Sequence, residues 1–124
     1  MQLLMTIVAF LAALGILITI HELGHYAVAR LCGVKVLRFS IGFGHTLVKW
    51  QSGAEATTWT ICAIPLGGYV KMLDEREGPV HEDEIGQTFN RQSVFKRFMI
   101  VFAGPAANLV LALLLYWTLL VGGV

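Results

Sequence analysis

Every lysine and arginine of this chain falls between Arg30 and Arg97, and the two flanks are almost wholly apolar. Residues 3–20 contain only Thr6 and Thr19 as polar residues, and residues 98–124 carry Asn108 and Thr118 with no charge at all. A bilayer crossing takes about 20 mostly apolar residues in a helix, so each flank qualifies as a span. A secretory leader is the rival for the first, but no positive segment precedes the run and no small-residue cleavage site stands before His21. The clustered cations place the central segment on the cytoplasmic side, with both termini facing the opposite compartment. With 56% hydrophobic and 14% charged residues the chain is far from a typical soluble domain. Its net charge of +1 gives nucleic acid binding no electrostatic basis. Cys32 and Cys62 belong to no C-x-x-C pair and read as free thiols in a reducing compartment, with a Cys ligand to a metal as the alternative.

The expected fold is a membrane α-helical protein whose two transmembrane helices flank a small membrane-associated antiparallel β region. The segments are 1–31, the first helix; 32–73, the β region; 74–97, an acidic loop and interfacial stretch; and 98–124, the second helix. In the first helix Ala12, Gly15 and Thr19 supply small positions for close packing in lipid, and Gly24 suits the close approach of a neighbour. In 33–73 the period becomes two: Leu37, Phe39, Ile41 and Phe43 alternate with Arg38, Ser40 and Gly42, and Trp59, Ile61 and Ala63 with Thr58, Thr60 and Cys62. Gln51-Ser52-Gly53 reads as a turn, Pro65 and Gly67-Gly68 as a break, and Tyr69 to Met72 as extended chain. Three or four strands follow, with a free edge able to hold an extended substrate by strand addition. The carboxylates between Asp74 and Glu84 make a solvated loop, in which His81 is a secondary metal candidate. Gly104-Pro105 predicts a kink in the second helix.

The chemistry lies at His21-Glu22-Leu23-Gly24-His25, an H-E-x-x-H pattern at the end of the first apolar run. Positions i and i+4 share a helix face, so both imidazoles can reach one metal ion, and zinc accepts such nitrogens while tolerating an open position. Glu22 is placed to take a proton from the attacking water rather than to ligate. Ionisable groups inside an apolar helix are costly unless used. Counting inward from Arg30 at the interface, His25 lies about 8 Å deep and His21 about 14 Å. Asn108 lies about 16 Å beyond Arg97, level with His21 if the helices run antiparallel. It is either a hydrogen-bonding group for substrate or oxyanion, or glue between the helices.

The stretches HELGHYAVARLCGVKVLRFSIGFG, PLGGYVKMLDE and NRQSVFKRFMIVFAGPAANL resemble the amino-terminal part of the site-2 proteases, specifically the RseP-like regulator proteases of bacterial inner membranes. The resemblance covers nearly the whole chain, including the family's G-x-x-x-N as Gly104 to Asn108. It implies a multi-pass inner-membrane zinc endopeptidase that cuts transmembrane segments, of anti-sigma factors or remnant signal peptides, in regulated intramembrane proteolysis. It makes His21 and His25 zinc ligands and Glu22 the catalytic base. Substrate positioning falls to Asn108, Gly104 and the β-region residues Gly67, Gly68, Tyr69 and Val70. The family's third zinc ligand, the Asp of an L-D-G motif, has no counterpart here: Asp74 and Asp83 lie in the acidic loop, and Leu73-Asp74-Glu75 is not that motif. PDZ domains are also missing. A fragment is therefore expected, one that binds zinc weakly alone and depends on a carboxy-terminal part for activity. The alternative is a catalytically incomplete membrane module that binds metal or a partner helix.

Overall fold

The computed structural model describes residues 1–52 and 57–123. Its elements are helix α1 (Gln2–Leu31), strands β1 (Val36–Ser52) and β2 (Thr57–Met72), two short 3-10 turns (Glu75–Glu77 and Glu82–Gln87), and helix α2 (Val94–Val121). Two long apolar helices thus flank an antiparallel sheet, and both are long and apolar enough to cross a membrane.

Local chemistry sets the helix ends. Gly33 takes φ +81°, and the Cys32, Gly33 and Val34 amides bond back to the Val28, Arg30 and Ala29 carbonyls. This left-handed glycine cap ends α1. The threonine hydroxyls within the apolar runs are bonded to carbonyls one turn back: Thr6 to Gln2, Thr19 to Gly15 and Thr118 to Leu114. Ser93 caps α2 by accepting from the Lys96 amide, so the helix starts at Val94, earlier than the expected Phe98. It continues through Pro105, which has no N–H to offer the Val101 carbonyl.

The sheet differs from the alternation reading. Its two long strands each fold back on themselves. Arg38, Phe39, Ser40 and Ile41 pair on one side with Lys71, Val70, Tyr69 and Gly68, and on the other with Thr58, Trp59, Thr60 and Ile61. In the first set the numbers run oppositely; in the second they rise together. Beyond Phe43 the direction reverses, and Val48 to Ser52 pair antiparallel with Ile61 to Thr57. Gly42 and Gly44, with φ +86° and +82°, make that reversal; it needs a left-handed backbone that side chains disfavour. Gln51 and Ser52, expected in a turn, are strand residues, and Gly53 lies outside the described residues. The expected break at Pro65 and Gly67-Gly68 falls where β2 folds back between Ile61 and Gly68, and Tyr69 to Met72 resume extended pairing with β1. Among the described residues, Gly68 to Met72 pair only with β1, which leaves their other side as a sheet edge.

The core sits where the carboxy end of α1, the start of α2 and the sheet meet. Ala29, Val34, Val36 and Ile100 are buried there, with Tyr26, Val70, Met72 and Phe89 packed around them. Trp59 stacks on Trp50 and packs at a 35° tilt against Phe39, and Tyr26 packs edge-on against it. Gly24 brings the helices together: a Cβ there would clash with the Ala103 carbonyl and lie 2.8 Å from the Ala107 methyl. Gly15, expected in close packing, has nothing within 4 Å of its Cβ position.

Candidate metal centre

One turn of α1 places His21 and His25 on the face turned toward α2. Their Nε2 atoms lie 3.1 Å apart and the rings meet edge to face at 80°. Two imidazole nitrogens on one tetrahedral zinc stand about 3.3 Å apart, from Zn–N bonds of about 2.05 Å. The observed spacing therefore fits a shared ion. The donor atoms of His21, Glu22 and His25 lie within 4.8 Å of one another, the one such group of three among the described residues.

The surroundings hold the rings in place. His25 Nδ1 meets the Ile100 carbonyl at 2.7 Å, and a carbonyl can only accept, so the proton sits on Nδ1 and Nε2 is the nitrogen left to ligate a metal. His21 Nδ1 lies 3.2 Å from Asn108 Nδ2, so the depth count that set Asn108 level with His21 agrees with the geometry. Gly104 stands against both rings. A Cβ there would clash with His25 Nε2 and lie 2.7 Å from His21 Nε2, so any side chain would fill the space between the nitrogens. Glu22, 9% exposed, faces β2, where a Cβ on Gly68 would lie 3.5 Å from its Cγ and 2.6 Å from the Ser40 carbonyl. Gly68 thus lets the strand lie close to the carboxylate.

Two cavities meet at Glu22 and Gly68. One, of about 400 Å³, is lined by His25, Tyr69, Val70 and the polar Asp74 and Arg76. The other, of about 380 Å³, is lined by His21, Asn108 and the apolar Leu14, Leu17 and Leu66. Gly67 borders the second, where a Cβ would strike the Phe43 ring. Of the residues singled out in the sequence, His21, His25, Gly67, Gly68, Tyr69, Val70 and Asn108 line the two cavities that share Glu22, and Gly104 lies against the imidazoles. Phe43, Ser40 and Ile100 were missed: each acts through a backbone or ring contact that no motif marks.

Of the other candidates, Asp74 borders the first cavity, and the rest lie elsewhere. His81 and Asp83 are 79% and 92% exposed and 3.8 Å apart. Cys62 is hydrogen-bonded in the sheet to Ser40 and Thr46, and Cys32 packs against the core. Asp74 is bonded by Arg76, and Glu75 by Arg91 and Asn90; these bonds hold both carboxyls below their ordinary range.

The sequence model of peptidase family M50 matches residues 9–123. The chain is 51% identical, over its whole length, to 27% of protease RseP of Yersinia pestis. It is 48% identical, again over its whole length, to 27% of the regulator of sigma-E protease RseP of Salmonella typhimurium. A Xylella fastidiosa protein provisionally named a zinc metalloprotease is 58% identical over 91% of this chain and 25% of its own length. The chain spans about a quarter of the curated relatives it matches. With the H-E-x-x-H imidazoles converging beside a buried glutamate, and the family match running almost from end to end, the chain belongs to peptidase family M50.

Proposed function

We propose that this chain is the amino-terminal catalytic portion of an intramembrane zinc endopeptidase of the site-2 protease type. The observation that carries the reading is the convergence of His21 and His25 Nε2 beside a mostly buried Glu22, in a helix apolar and long enough to span a bilayer. Zinc at the two imidazoles would polarise the scissile carbonyl and acidify a water. Glu22 takes the proton from that water and returns it to the leaving amine. A third ligand comes from outside this chain, since catalytic zinc keeps three protein ligands; an L-D-G Asp in the remaining three quarters of the protein suits that role, and PDZ domains belong to the same part.

The substrate is a transmembrane protein, and the names of the sigma-E regulator relatives favour an anti-sigma factor, with remnant signal peptides a second class. Gly67, Gly68, Tyr69 and Val70 present it: the edge from Gly68 to Met72 borders the cavity beside Glu22 and suits strand addition. The protein lies in the bacterial inner membrane with the sheet on the cytoplasmic side and both helix ends away from it periplasmic. In the full-length protein Glu22→Gln should retain zinc and lose cleavage of a transmembrane substrate by about 100-fold or more. Near-normal cleavage by that variant would sink the assignment.

A further inference from the structure

The hydrogen bonds through the imidazoles have a direction. The Ile100 carbonyl can only accept, so His25 meets it through Nδ1–H. An uncharged His25 then has a lone pair at Nε2, and the 3.1 Å contact between the rings is donated by His21 Nε2–H. That leaves His21 Nδ1 as acceptor, and it takes an N–H from Asn108 Nδ2 at 3.2 Å. One atom ends the chain without a partner: Asn108 Oδ1, buried and unbonded. Glue between two helices leaves this oxygen without a protein partner unexplained, and an unpaired buried oxygen costs free energy.

A metal held at both Nε2 atoms demands the opposite arrangement; this step rests on the zinc reading of His21 and His25 given above. His21 must then carry its proton at Nδ1, losing the one at Nε2 to solvent water and gaining one in exchange, with no change of charge. Nδ1–H would face the Asn108 NH2 group, donor against donor. Half a turn of the amide replaces Nδ2 with Oδ1, which accepts from Nδ1–H and satisfies the orphaned oxygen in the same move. We propose that Asn108 is a positioning residue for His21, whose amide turns over to select the imidazole tautomer that ligates metal. The orienting partner of a metal-bound His is worth about 10–100-fold in affinity.

The test uses the full-length protein. Zinc affinity is measured by chelator competition, and the visible spectrum is recorded on cobalt(II)-loaded protein. Asn108→Leu, which keeps the size and removes the acceptor, should weaken zinc binding by about 10–100-fold and alter the cobalt bands. Asn108→Asp, which can only accept, should hold zinc at least as tightly as the wild type. In the metal-free state, nitrogen NMR of the His21 ring should report Nε2–H in the wild type and Nδ1–H in Asn108→Asp. Unchanged affinity and cobalt spectrum in Asn108→Leu would overturn the role of the amide alone, as would an Asp variant that loses as much zinc as the Leu variant. Zinc that survives His25→Ala in the wild-type background would overturn the metal-centre reading itself, and this inference with it.

Discussion

Along α1, Leu3 and Phe10 are 73% and 64% exposed, whereas Glu22 is 9% exposed and Ala29 fully buried. The amino-terminal half is apolar and largely exposed, whereas the carboxy-terminal half carries the ionisable groups and packs against α2 at Gly24 and His25. The two glycines of the helix mark the change: Gly15 has open space at its Cβ position, and Gly24 has the Ala103 carbonyl. Hydrophobicity thus decides where α1 can lie, while the absence of a side chain at one position decides what it docks against. The amino-terminal half needs only to be apolar; the carboxy-terminal half must also be complementary in shape.

The largest test of this contrast is Gly104→Ala. The new methyl group meets both imidazole nitrogens, so the rings must move by a large fraction of an ångström. Displacements of that order cost about 100-fold in rate. The full-length variant should lose that much cleavage and hold zinc less tightly; wild-type zinc affinity would mean that Gly104 is not what sets the space between the rings. Next comes Gly24→Ala, which drives a methyl group into a helix backbone and should destabilise the protein by about 1–3 kcal/mol, read as a lower unfolding midpoint. Gly15→Ala is its control. With nothing to strike, it should be neutral or stabilising by up to about 1 kcal/mol through helix propensity. Equal effects of the two would erase the distinction between the halves.

The smallest effect lies outside the helices. The bonds of Asp74 to Arg76 and of Glu75 to Arg91 lower both carboxyl pKa values from ordinary values of 3.8 and 4.5. A lowered carboxyl adds stability that is complete above the ordinary value and is lost as pH falls through the lowered one. The polar turns should therefore loosen below about pH 4, with amide exchange there rising before exchange in α1. Arg91→Gln should shift the onset for the Glu75 turn upward in pH. Because the arginine partners are 66% and 56% exposed, solvent screening keeps the change slight.

The helix-borne site was legible because helical spacing is rigid: i and i+4 fixed the imidazoles, and counting rises from Arg30 and Arg97 brought Asn108 to His21. The sheet was only partly legible. Alternation runs from Leu37 to Phe43 without a break, so nothing in the side-chain pattern marks the reversal at Gly42 and Gly44; it depends on backbone angles that glycine permits but does not dictate. Gly15 and Gly24 are equally plausible contact positions in one dimension, and only the position of α2 separates them. The start of α2 was missed because Lys96 and Arg97 suggested an interfacial segment, while Ser93, a good capping residue, stood in plain view.

The Ile100 carbonyl that orients His25 belongs to α2, and so does the glycine that makes room between the rings. A ribosome finishes α1 long before it makes either, with the whole sheet and the acidic turns synthesised in between. The newborn H-E-x-x-H helix therefore has its imidazoles but neither the carbonyl that steers one of them nor the hollow that faces both. The facing geometry of the two rings is thus a property of the paired helices, complete only once α2 lies against α1.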